Sequence, residues 1–146
     1  MAISPNKARL KKLMGITDAV PRRLNVITVT ATARILDADE SGAFVLLTGG
    51  SPSTLTLPVP AAGLHYEVYI GSEQEHIVQA QSNVMQGNYR HNSATTTMTR
   101  IAVSNKGKLT LHSSGRAIGD RLQFWSDGTD WYVDGIVNNA VTQATI

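Results

Sequence analysis

The stretch that most restricts the fold runs from Gly119 to Gly135. Two arms bearing apolar and aromatic residues flank Ser126-Asp127-Gly128-Thr129-Asp130, which is hairpin punctuation: short polar side chains that cap turns and a glycine free to take positive φ. In a strand, alternate residues face opposite sides. Leu122 and Phe124 therefore share one face of the first arm, while Gln123 and Trp125 share the other. In the second arm Trp131 and Val133 lie together with Tyr132 opposite. Both tryptophans of a chain with 5% aromatic residues sit here, so the hairpin is expected to anchor the core.

A chain of 146 residues suits one domain with an adequate core. It contains no cysteine, which excludes disulfide scaffolds, thiolate metal sites and cysteine nucleophiles. Charged residues make up only 16%, below the usual quarter, a balance that suits a β-rich surface covered by neighbours. No apolar run approaches the length needed to cross a bilayer as a helix, and the basic N-terminus is not followed by the apolar stretch of a secretory signal. The net charge of +2 hides an asymmetry: Lys7, Arg9, Lys11, Lys12, Arg22 and Arg23 face only Asp18 in the leading segment, and the remainder is acidic on balance.

That leading segment, residues 1–23, reads as a basic arm attached to a β-domain over 24–146. Ser4-Pro5 is a helix start, Gly15 a helix stop, and Leu10, Leu13 and Met14 form an apolar stripe between the cations. From Leu24 the period becomes two. Val26 to Ala33 reads as one strand, Ala43 to Leu47 as a second and Thr54 to Leu57 as a third. Leu64 to Ile70 follows with Tyr66, Val68 and Ile70 on one face, and His76 to Ala80 is expected beside it. Residues 81–97 read as a long polar loop. Residues 99–103 and 108–112 flank a second hairpin signal at Ser104-Asn105-Lys106-Gly107. Residues 136–146 read as an edge strand or a segment lying on a partner. The fold class expected is all-β: an antiparallel β-sandwich, jelly roll or small barrel with a short N-terminal helical arm.

Chemistry-bearing motifs are sparse. Asp37-Ala38-Asp39-Glu40-Ser41-Gly42 starts like a calcium loop, but position 12 is Thr48 instead of a bidentate glutamate, so an acidic turn is expected. His65, His76, His91 and His112 lack the short spacing of a metal face. Ser113-Ser114-Gly115-Arg116 lacks the nucleophile elbow. Asp120, Asp127, Asp130 and Asp134 offer paired carboxylates of the kind glycosidases use, yet turn chemistry explains them more simply. Neither enzymatic activity nor a cofactor is expected. The basic arm carries no interleaved aromatic residue, so docking on protein is favoured over nucleic acid.

Three segments together resemble small β-rich virion proteins of tailed bacteriophages, capsid decoration (cement) proteins above all: Thr54 to Pro58 with Pro60 to Val68, Gly119 to Leu122, and Trp125 to Gly135. The resemblance implies a structural protein bound to the capsid exterior as a homotrimer that ties neighbouring capsomers together. The partner would be the major capsid protein. On that view the arm residues Lys7, Arg9, Leu10, Lys11, Lys12, Leu13, Met14, Arg22 and Arg23 form the docking segment, a role inferred from their charge and apolar stripe and not part of the shared pattern. A receptor- or carbohydrate-binding module of a tail fibre, using the 81–97 region and aromatic platforms, is the alternative.

Overall fold

Alternation of apolar and polar residues builds twelve strands among the residues that the computed structural model describes, 24–92, 98–112, 118–139 and 141–146. In order they are β1 (Val26–Val29), β2 (Ala33–Ile35), β3 (Phe44–Leu47), β4 (Ser53–Thr56), β5 (His65–Ile70) and β6 (His76–Gln79). They continue as β7 (Met85–Asn92), β8 (Met98–Lys106), β9 (Lys108–Leu111), β10 (Arg121–Ser126), β11 (Trp131–Val137) and β12 (Val141–Ala144). One sheet has the order β1-β3-β5-β10-β11-β7-β8, the other β12-β9-β6-β4-β2. The all-β class is as expected.

The pairing is mixed, which corrects the expectation of antiparallel strands throughout. The first six strands alternate between the sheets, so β1, β3 and β5 stack in parallel in one while β2, β4 and β6 stack in parallel in the other. Parallel neighbours need a crossover, and here each crossover is the intervening strand of the opposite sheet. This coil explains three further differences. The alternating run from Val26 breaks at Thr30–Thr32 into two strands in separate sheets. β6 pairs with β4 and β9, not with β5. The signal at Ser104–Gly107 is a corner: β8 pairs with β7, β9 joins the other sheet, and Gly107 passes so close to Ile146 and Asn83 that a Cβ would collide with both.

Residues 85–92 form β7, so eight of the seventeen residues expected as a loop belong to a strand between β11 and β8. Met85 and Tyr89 are buried there while polar residues occupy the other face. The terminal segment does supply an edge strand, β12, antiparallel to β9.

A single apolar cluster lies between the sheets. Val45, Leu47, Tyr66, Val68, Ile70, Leu122, Phe124, Trp131 and Val133 enter it from one side, and Leu55, Leu57, Val78, Leu109 and Leu111 from the other. Trp131 is fully buried, its indole N–H donating to the Pro58 carbonyl at 3.2 Å and its ring lying 5.8 Å from that of Tyr66. Trp125 remains 39% exposed, so only one of the two tryptophans anchors the core. The Tyr66 hydroxyl donates to the Asp37 carbonyl at 2.7 Å. Burial, then the nearby carboxylates of Glu40, Asp37 and Asp39, pushes it up to about 12.

Candidate binding face

The outer face of the seven-stranded sheet follows from the same alternation. With Leu122 and Phe124 turned inward on β10, Arg121, Gln123 and Trp125 point out, and registration with neighbouring strands arranges outward residues in rows. The first row runs Leu46, Tyr69, Arg121, Ile136, Arg90, Arg100. The second runs Val26, Phe44, Glu67, Gln123, Asp134. The third runs His65, Trp125, Tyr132, Gln86.

Each row has its own chemistry. His65 and Trp125 stack with ring centroids 5.9 Å apart and planes 18° apart. Phe44 and Tyr69 meet at 5.8 Å. Arg121 lies 3.6 Å from Glu67, whereas Arg90 and Arg100 stand directly opposite each other with no ion-pair partner among the described residues. Arg90, Arg121, Gln123, Asp134, Gly135 and Ile136 line a cleft of about 190 Å³. Of the large apolar side chains on this face, Val26, Trp125, Tyr132 and Ile136 are exposed.

The hairpin aspartates do not converge. Asp127 organises the turn: its Oδ1 accepts from the backbone N–H groups of Thr129 (2.8 Å) and Asp130 (2.9 Å), and its Oδ2 accepts from the Tyr132 hydroxyl (3.0 Å). These bonds, the one from Asp130 foremost, hold its carboxyl below the ordinary value and push the Tyr132 hydroxyl up. Asp120 lies at the other end of β10 and is fully buried. Its Oδ1 accepts from the Asn138 backbone N–H (2.7 Å) and side-chain amide (2.8 Å), while burial raises its pKa despite those bonds. Asp134 stands on the outer sheet face. A glycosidase pair would need two carboxylates flanking one bond.

The histidines are equally dispersed. His65 is on the outer face, and His112 bridges Glu75 (3.1 Å) and Thr142 (2.6 Å). His76 is buried, its Nε2 2.9 Å from the Ser72 hydroxyl, a serine–histidine contact that sequence reading missed. The Ser72 hydroxyl donates to the Gly49 carbonyl at 2.9 Å, so Nε2 must carry the shared proton, and Nδ1 has no hydrogen-bond partner among the described residues. Burial lowers the pKa of this imidazole. No group of three or more His, Cys, Asp or Glu side chains among the described residues gathers to hold a metal. In the acidic turn, now a 3-10 turn at Ala38–Glu40, Glu40 is occupied by the Asp37 backbone N–H (2.9 Å) and by an ion pair with Arg34.

No helix among the described residues is long and apolar enough to cross a membrane. The docking segment expected from Lys7, Arg9, Leu10, Lys11, Lys12, Leu13, Met14, Arg22 and Arg23 lies outside the described residues. No family model matches the sequence, and no curated protein matches it.

Proposed function

We propose that this chain is a structural virion protein of a tailed bacteriophage that binds the major capsid protein on the shell exterior, as a homotrimer joining neighbouring capsomers. The observation that supports the reading best is the broad outer sheet face: it exposes Val26, Trp125, Tyr132 and Ile136 beside Arg90 and Arg100, which have no ion-pair partner among the described residues, as a body built for contact does. Two of the segments carrying the phage resemblance, Gly119–Leu122 and Trp125–Gly135, contribute most of β10 and β11, inner strands of that face. The basic segment before Leu24 supplies charge complementary to an acidic capsid surface, and three copies on one trimer multiply a weak contact. Removing residues 1–23 is expected to leave a folded β-body, by circular dichroism, that no longer sediments with empty capsids. Undiminished co-sedimentation would reject the docking role of the arm.

A tail-fibre carbohydrate-binding module is the second reading, favoured by the row His65, Trp125, Tyr132, whose rings offer flat apolar faces beside hydrogen-bonding groups. Immunogold labelling of intact particles separates the two: label over the shell supports the first and label at the tail the second.

A further inference from the structure

We infer that the outer face of the seven-stranded sheet binds an acidic oligosaccharide, its carboxylate held between Arg90 and Arg121 and a neighbouring sugar ring laid on Trp125 and Tyr132. The inference rests on the second reading above, the carbohydrate-binding one, and uses the same outward rows of the sheet. Arg121 and Arg90 are each registered to Ile136 from opposite sides, so one strand separates them. At the usual inter-strand spacing their backbones lie roughly 10 Å apart, a gap two guanidinium groups can close over the Ile136 side chain. Planar guanidinium groups match carboxylates bidentately, and Arg100 beside Arg90 adds a further positive charge. The cleft, about 190 Å³, is also lined by Asp134, and Glu67 lies 3.6 Å from Arg121, so a carboxylate enters on the side of Arg90 and Arg100 while its neighbouring hydroxyls meet Asp134. The space is smaller than a drug-sized pocket, and the rest of the ligand lies on the open face.

The next rows supply what a sugar chain needs. Gln123 and Asp134 follow along β10 and β11 as an amide and an acceptor for hydroxyl groups, and Trp125 and Tyr132 follow them as stacking faces. Arg121 to Trp125 spans roughly 13 Å along the strand, the dimension of a short oligosaccharide rather than a single ring.

Alternative ligands fit less well. Single-stranded nucleic acid also uses aromatic and basic side chains on a sheet, but Glu67 and Asp134 occupy the row between the arginines and the aromatics, where a phosphate backbone would have to pass. Sugar hydroxyls, in contrast, donate to such carboxylates. An acidic peptide meets the same two carboxylates, and the backbone groups of these inner strands are already paired, which leaves none for an added strand.

The test is an array of uronic-acid- and sialic-acid-containing oligosaccharides printed beside their methyl esters, with a single-stranded oligodeoxynucleotide as a separate feature, probed with the full-length protein. At least one carboxylated glycan is expected to bind about tenfold or more above its ester, because esterification removes the charge the arginines recognise. Arg90→Ala and Trp125→Ala should each weaken that signal about tenfold or more with an unchanged circular dichroism spectrum. Lys108→Ala, which removes a positive charge from the other sheet, should leave it intact. Equal binding of acids and esters, stronger retention of the oligonucleotide, absence of any carboxylated binder, or indifference to both substitutions would each overturn the inference. Capsid co-sedimentation is scored separately, so loss of this site and loss of the shell-binding reading are distinguishable.

Discussion

Trp131 and Trp125 show how two like residues in one hairpin take different roles. Trp131 faces inward, and its indole donates to Pro58 from within the sheet interface, so Trp131→Ala removes a large buried side chain and a satisfied donor. The expected loss is about 3–5 kcal/mol, read from urea unfolding. Trp125→Ala removes a partly exposed ring stacked on His65 and should cost about 1 kcal/mol. His76 adds a pH dependence. Its imidazole is buried and its folded pKa depressed from 6.5, so the neutral form is the one the fold accepts. The stabilisation is fully present above pH 6.5 and is lost as pH falls from there through the depressed folded value, at no more than about 1.4 kcal/mol per pH unit. Urea midpoints measured across this range should decline more steeply for the parent than for His76→Gln. Asp120, shifted the other way, remains in both proteins and drops out of the comparison.

Strand β7 depends on one backbone position. Gly87 has φ +115° beside the register shift between Met85 and Gly87, and a Cβ there would come within 2.9 Å of the Val133 backbone nitrogen. Both the dihedral and the contact oppose a side chain, and rigid backbone cannot retreat as a side chain can. Gly87→Ala is expected to cost about 2–5 kcal/mol, whereas Gly50→Ala, in open space, should stay within about 1 kcal/mol of the parent by the same urea assay. The polar composition of residues 81–97 conceals this strand. Its outward positions, Gln86, Asn88 and Arg90, are hydrophilic because they lie on the outer face of the sheet, away from the core, and only Met85 and Tyr89 mark the core side. A glycine at the bulge removes one more apolar position from the alternation that would otherwise reveal it.

The whole body shares one core, since the cluster from Val29 to Val137 draws residues from both sheets. Tryptophan fluorescence and far-UV circular dichroism should therefore report one coincident unfolding transition, and two separated transitions would show the sheets to be independent. Refolding should be slow for the size, on the order of milliseconds to seconds, because neighbours such as β1 and β3 meet only after the chain has visited the opposite sheet. Local alternation was enough to establish the all-β class, which residues of β5, β10 and β11 share a face and the turn at Asp127, because burial of one side of a strand is written in residues two apart. It could not establish which strands are neighbours. Val26 pairs with Phe44 and Phe44 with Glu67 at unequal separations, so no repeat betrays the coil, and each partner lies far along the chain. The arginine pair astride Ile136 exists only through that long-range registration, which packing between the sheets decides and no local pattern encodes.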